Sequence, residues 1–291
     1  MGNIQSSTIQ YRGRFLVLSV LIMTGLAAVV FAASVSDGNV ERRIVPVELD
    51  NISGLSFDGQ LLWVTVDGAG QLYGVDPTTG NIERTLDFAI AETGGSAWDG
   101  RALWQLAYLE ETIYRIDLES GEILDRIPAP GEGICSGMTY DGAYLWLANN
   151  DEEVLYQIDP ANGGQVVQTL EGDFETTGLA WDGQHLWNGV LVGTTEDHDA
   201  PAPYTGFVQE RDLEQASTLR VLPVQGVFAG GSDWTPGQVR MQRMWWYDGY
   251  HGELIEFSFE RRESSWQGMA VLLGLANLFA AAWVVGGREV V

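Results

Sequence analysis

Residues 98–104 read Trp-Asp-Gly-Arg-Ala-Leu-Trp, and close copies of this phrase return three more times along the chain. Phe57-Asp58-Gly59 leads to Leu62-Trp63, Tyr140-Asp141-Gly142 to Leu145-Trp146, and Trp181-Asp182-Gly183 to Leu186-Trp187. The copies stand 41 or 42 residues apart. Between them lies a second recurring phrase, apolar–Tyr–x–apolar–Asp: Leu72-Tyr73-Gly74-Val75-Asp76, Ile113-Tyr114-Arg115-Ile116-Asp117 and Leu155-Tyr156-Gln157-Ile158-Asp159. Asp-Gly favours a tight hairpin turn, here expected as type I′, because Gly accepts a positive φ. Short aromatic and β-branched runs flank each turn, as strands should. One unit thus reads as four strands, over 54–57, 61–66, 71–75 and 81–86, which is the size of a propeller blade.

A fourth unit is stretched by an insertion over 193–206, and a fifth, degenerate unit runs over 226–233, 239–246 and 253–259 without a fourth strand. Residues 44–49 (Ile-Val-Pro-Val-Glu-Leu) supply the missing strand from the N-terminal side. The expected fold is all-β: a five-bladed β-propeller over 43–262 with one transmembrane helix at each end.

The helices are read from hydropathy. Residues 15–33 and 266–286 carry no charge, and at about 1.5 Å per residue each is long enough to cross a hydrocarbon core. Residues 1–14 and 287–291 become cytoplasmic tails and 34–42 a linker. Trp266 and Trp283 suit interfacial anchors, and Asn277 a hydrogen bond to a neighbouring helix. Arg12, Arg14 and Arg288 put both tails in the cytoplasm and the propeller on the extracytoplasmic side of a cell membrane. The first segment also fits a signal peptide, with Val30-Phe31-Ala32 as its cleavage signal.

All but one of the 40 acidic residues fall within 34–265, and the chain has no lysine at all. Such a surface repels nucleic acid and attracts cations or basic proteins. The single Cys135 excludes an intrachain disulfide. Asn51-Ile52-Ser53 fits a glycosylation sequon.

In a propeller of this connectivity the loops between second and third strands share one face with the loops between blades. That face gathers Glu110, Glu111, Asn149, Asn150, Asp151, Glu152, Glu153, Glu196, Asp197, His198, Asp199 and His251 as a candidate binding surface. Ser53, Thr93, Cys135, Ser136 and Thr177 fall near its central mouth. Asp197-His198-Asp199 lacks the oxygens a hard cation needs, so no metal site is assigned; calcium is kept as a ligand the acidic mouth could bind in a sensor. Cys135 has no basic neighbour to activate it and reads as a buried thiol. His185 reads as a surface residue beside its turn.

Two stretches resemble the glutamine cyclotransferases of plants and bacteria. Leu103-Trp104-Gln105-Leu106-Ala107-Tyr108-Leu109-Glu110 with Ile113-Tyr114 looks like their second blade. Gly137-Met138-Thr139-Tyr140-Asp141-Gly142-Ala143-Tyr144-Leu145 with Leu155-Tyr156-Gln157-Ile158-Asp159-Pro160 looks like their third. The resemblance implies a five-bladed propeller that closes N-terminal glutamine into pyroglutamate, and its turn motifs are shared with YVTN-type repeats. Departures accompany it. The family's first-blade glutamate is Val64 here, its second-blade tryptophan is Tyr108, and its late-blade lysine has no counterpart. Without that carboxylate, ring closure lacks its acid/base group, leaving Tyr108, Glu110 and Glu111 as the catalytic candidates. The expectation is a non-catalytic, membrane-anchored scaffold, an accessory subunit whose partner is a membrane protein or a basic protein. A glutaminyl cyclase and a ligand or cation sensor stand as the alternatives.

Overall fold

The computed structural model describes residues 40–259, apart from 174, 195–203, 215–216, 225–228, 233, 236–240 and 250. Five four-stranded antiparallel sheets make up the described chain. Blade 1 is β2 (Ile52–Phe57), β3 (Leu62–Val66), β4 (Gln71–Val75) and β5 (Ile82–Asp87), and blade 2 is β6 (Thr93–Trp98), β7 (Leu103–Ala107), β8 (Thr112–Ile116) and β9 (Ile123–Pro128). Blade 3 is β10 (Cys135–Tyr140), β11 (Leu145–Asn149), β12 (Val154–Asp159) and β13 (Gln165–Glu171). Blade 4 is β14 (Thr176–Trp181), β15 (Leu186–Thr194), β16 (Tyr204–Asp212) and β17 (Ser217–Val224). Blade 5 is β18 (Ala229–Ser232), β19 (Arg243–Asp248) and β20 (Glu253–Phe259), completed by β1 (Val40–Pro46) from the other end of the described chain. The propeller expected from the repeat is therefore the fold. The segments 15–33 and 266–286 lie outside the described residues, among which no helix is long and apolar enough to cross a membrane.

The closing strand pairs from Val40↔Phe259 to Pro46↔Glu253, so it begins earlier than 44 and stops before 49. An outermost strand tolerates exposed charged side chains, which is why Arg42 and Arg43 belong to it despite their polarity. Strand direction places Val40 and Phe259 together on the face of the Asp-Gly turns. The insertion in blade 4 is a prolonged hairpin, with β15 and β16 still paired at Thr194↔Tyr204.

The core is divided among the five seams between blades. Trp63 is buried with Leu103 and Ile116 of blade 2, Trp104 with Met138 and Leu147 of blade 3, Trp146 with Leu179 of blade 4. Trp187 packs with Trp246 and Ile255 of blade 5, and Trp245 closes the ring against Leu55 and Val64 of blade 1. A buried indole needs an acceptor for its N–H, and the turn aspartate provides it. Asp58, Asp99, Asp141 and Asp182 each accept the Nε1 of the tryptophan five residues on, at 2.7, 3.0, 2.8 and 3.1 Å. The other carboxylate oxygen takes two backbone amides of the turn, as Asp99 does from Arg101 and Ala102. Only the glycine has a positive φ, 91° at Gly100, so these turns are not type I′, which requires it at both central residues.

At the centre, backbone meets backbone. A Cβ on Gly137 would lie 2.7 Å from Gly178 Cα, one on Gly178 2.5 Å from Gly230 N, and one on Gly231 2.6 Å from the Leu55 carbonyl. Inner strands β2, β6, β10, β14 and β18 pack this closely because each lacks a side chain at the point of contact.

Candidate functional site

The loops joining second to third strands, and those joining blades, share the face opposite the Asp-Gly turns. Not one arginine lies in any of them. Carboxylates do: Asp67, Glu92, Glu110, Glu111, Glu132, Asp151, Glu152, Glu153, Asp173 and Glu175. On the opposite face the aspartates of the Asp-Gly turns are consumed by indoles and turn amides, and Asp76 and Asp117 of the outer turns by turn amides, with the Ser120 hydroxyl also donating to Asp117 at 3.1 Å. Asp76 takes the amides of Thr78 and Thr79, which hold its carboxyl below the usual range. Asp117 is held down in the same way by Ser120 and Glu119.

Near the mouth, between blades 1 and 2, Ser53 shares hydrogen bonds with Thr65 at 3.3 Å and Thr93 at 3.0 Å. Asp67 accepts the Thr93 amide through Oδ1 and the Tyr108 hydroxyl, at 3.3 Å, through Oδ2. Burial first, then the charges of Asp67 and Glu92, pushes the Tyr108 hydroxyl pKa up. Tyr108 is thus a hydrogen-bond donor at neutral pH. Val64, where the resembled family has its glutamate, is fully buried in the seam between blades 5 and 1.

Glu110 and Glu111 separate in role. Glu110 Oε2 accepts the Tyr114 hydroxyl at 2.5 Å, while Glu111 holds a left-handed backbone, φ 47°, and its carbonyl accepts the Ala129 amide at 2.8 Å. Blade 3 repeats both. Glu152 accepts the Tyr156 hydroxyl, which with burial pushes that phenol up to about 12. Glu153, φ 55°, accepts the Gly172 amide. Asn149 is 1% exposed and spans the loop, donating to the Glu132 carbonyl and accepting the Glu152 amide. The carboxylates of Asp151 and Glu152 accept the amides of Ile134 and Glu132. Both therefore brace the loops through the protein's own backbone while remaining exposed. The amide oxygen of Asn150 is buried without a partner.

Cys135 is buried in the seam of blades 2 and 3 rather than open to the mouth. Burial, then Glu152, Asp151 and Glu111, raises its thiol pKa to about 12, the reverse of an activated nucleophile. Ser136 donates to the Thr176 carbonyl and Thr177 to that of Gly189. His251 is tied to Asp248 of its own turn at 2.7 Å. Glu196, Asp197, His198 and Asp199 lie outside the described residues.

Two clusters were not foreseen. Asp173 Oδ2 gathers Asn188, Gln209 and Arg211 at 3.0, 2.7 and 3.2 Å. His185 is half-buried rather than on open surface: its ring lies between Asp182 (3.7 Å) and Glu210 (2.9 Å), both buried. These three residues could hold a metal ion, since their ligand atoms lie within 4.8 Å of one another. Asp182 is already bound to Trp187 and two turn amides, however, and Glu210 faces Arg220 at 3.4 Å. An added cation would compete with all of them. Only spatial neighbours reveal this cluster, because Glu210 belongs to a different phrase of the repeat.

No family model and no curated protein matches the sequence. Among solved structures, the glutaminyl cyclase of Myxococcus xanthus superposes with a TM-score of 0.58 at 15% identity, over 76% of this chain and 97% of that one. The hydrazine synthase of Kuenenia stuttgartiensis reaches a TM-score of 0.42 at 15% identity, over 63% of this chain and 52% of that one. The first likeness establishes a shared propeller fold and nothing of its chemistry.

Proposed function

We propose that this chain is a non-catalytic binding module whose loop face docks a cationic partner, acting as an accessory subunit tethered to a membrane through 15–33 and 266–286. The observation that carries it is the segregation of charge: the loop face holds many carboxylates and no arginine, while the described arginines sit on strands and on the opposite face. Fields from one-signed surfaces steer oppositely charged partners and fade with salt.

The test uses the full chain in mild detergent and a fluorescent oligoarginine peptide. Binding should weaken severalfold as sodium chloride rises, because exposed charges are screened beyond about 8 Å at physiological ionic strength. Replacing Glu92, Glu132 and Glu153 by Gln should weaken it further, since these exposed side chains take no part in the loop bonds described above. Salt-independent binding, or none, would overturn the proposal.

A second reading, a glutaminyl cyclase, draws on the fold it shares with the Myxococcus enzyme and on the Tyr108–Asp67 pair at the mouth. Against it stands Val64 where that chemistry would place a carboxylate. Ammonia released from a Gln-initiated peptide by the same preparation, and lost in Tyr108→Phe, would decide for it.

A further inference from the structure

We propose that Leu109 and Ile134 form an apolar contact point on the loop face, at the seam of blades 2 and 3, for a partner segment carrying an apolar side chain between basic residues. The proposal rests on the cation-docking reading above and specifies where that partner is gripped.

Leu109 and Ile134 are 69% and 57% exposed, more than any other large apolar side chain among the described residues. The others so exposed, such as Leu124 at 51%, all lie on outer strands, where β-propensity favours such residues. Loops make no such demand.

The repeat provides an internal control. Leu109 occupies the position of Gly68 in blade 1 and Asp151 in blade 3. Ile134 occupies that of Asn51, Glu92 and Glu175. The backbone role there is indifferent to the side chain: the Ile134 carbonyl accepts the Asn150 amide at 3.0 Å, as Asn51 accepts Asp67 at 3.0 Å and Glu175 accepts Leu191 at 3.1 Å. Folding therefore requires neither Leu109 nor Ile134, and each leaves apolar area in water at a cost.

The two loops are joined. The Ala129 amide donates to Glu111 at 2.8 Å, and Tyr108, next to Leu109, packs on the cluster that holds Cys135, next to Ile134. Exposed Glu110, Glu132, Asp151 and Glu152 border the pair. An apolar centre within an anionic rim suits a cationic segment with an apolar anchor, because apolar contact adds affinity where charge alone gives encounter.

The experiment compares two fluorescent peptides of equal length and charge, one alternating arginine with glycine and the other arginine with leucine. Each is titrated against the full chain and against Leu109→Ser/Ile134→Ser in the same detergent, so that peptide uptake by micelles cancels. The leucine peptide should bind the native chain about tenfold more tightly than it binds the variant, the effect of burying roughly two partial side chains. The glycine peptide should bind both chains alike. An unchanged leucine affinity in the variant, with the glycine peptide still bound, overturns the contact point alone. Failure of both peptides to bind the native chain overturns the docking reading and this inference with it. A native dimer that becomes monomeric in the variant overturns it as well, by making a second copy the occupant.

Discussion

At the scale of the residue, the turn aspartate carries more of the fold than its glycine. In blade 2 the Asp99 carboxylate takes two turn amides, the Trp104 indole and the Arg115 guanidinium at 2.8 Å. Removing it leaves a buried indole N–H without an acceptor, and unmade buried hydrogen bonds cost about 1–3 kcal/mol each. Asp99→Ala should lower the unfolding free energy by about 2–4 kcal/mol in urea titration. Asp99→Asn, which keeps one carbonyl oxygen, should lose roughly half as much. Equal losses would show that the acceptor geometry is not what matters. The same logic explains why Asp58, Asp141 and Asp182 are unavailable for binding despite their charge.

At the scale of the element, β1 holds the ring closed. Val45 is fully buried in the seam with Trp245 and Leu254, and Arg43 binds Glu256 as well as the Thr78 and Pro77 carbonyls of blade 1. Arg84 of β5 reaches the Glu119 carbonyl of blade 2 in the same manner, so β1 acts as an ordinary outer strand that happens to come from the far end. A chain beginning at residue 47 should lose cooperative unfolding and bind a hydrophobic dye, because blade 5 would expose the edge of β20. A chain beginning at residue 36 should unfold as the intact propeller does. A cooperative transition in the shorter chain would refute the closure. The strand was legible in the sequence as the missing fourth element, but its ends were not. Charged Arg42 and Arg43 do not read as strand until the free side of an outer strand is known.

At the scale of the whole molecule, five blades meet through glycine backbones. Gly137→Ala would place a methyl 2.7 Å from Gly178 Cα, with backbone on the far side and no flexible side chain to yield. Overpacking of this kind costs about 1–3 kcal/mol, and the variant should show it as a lowered denaturation midpoint at unchanged slope. An unaltered midpoint would mean the ring can widen freely. The Asp-Gly and Leu-Trp phrases, recurring every 41 or 42 residues, determined by themselves the blade and the seam position of their four tryptophans, because hydrophobic periodicity and turn chemistry are local; the fifth blade was read from a degenerate unit and the strand that completes it. Composition likewise announced an acidic surface. Which acids are free was decided only by tertiary structure. Asp151 and Glu152 read in sequence like any other loop acids, yet they accept amides of a loop about twenty residues away in the chain, while Glu110 takes the Tyr114 hydroxyl. His185 joined Glu210, and Tyr108 joined Asp67, by the same route. A hydrogen bond needs its partner within about 3 Å, and only the folding of one blade against the next brings such partners together.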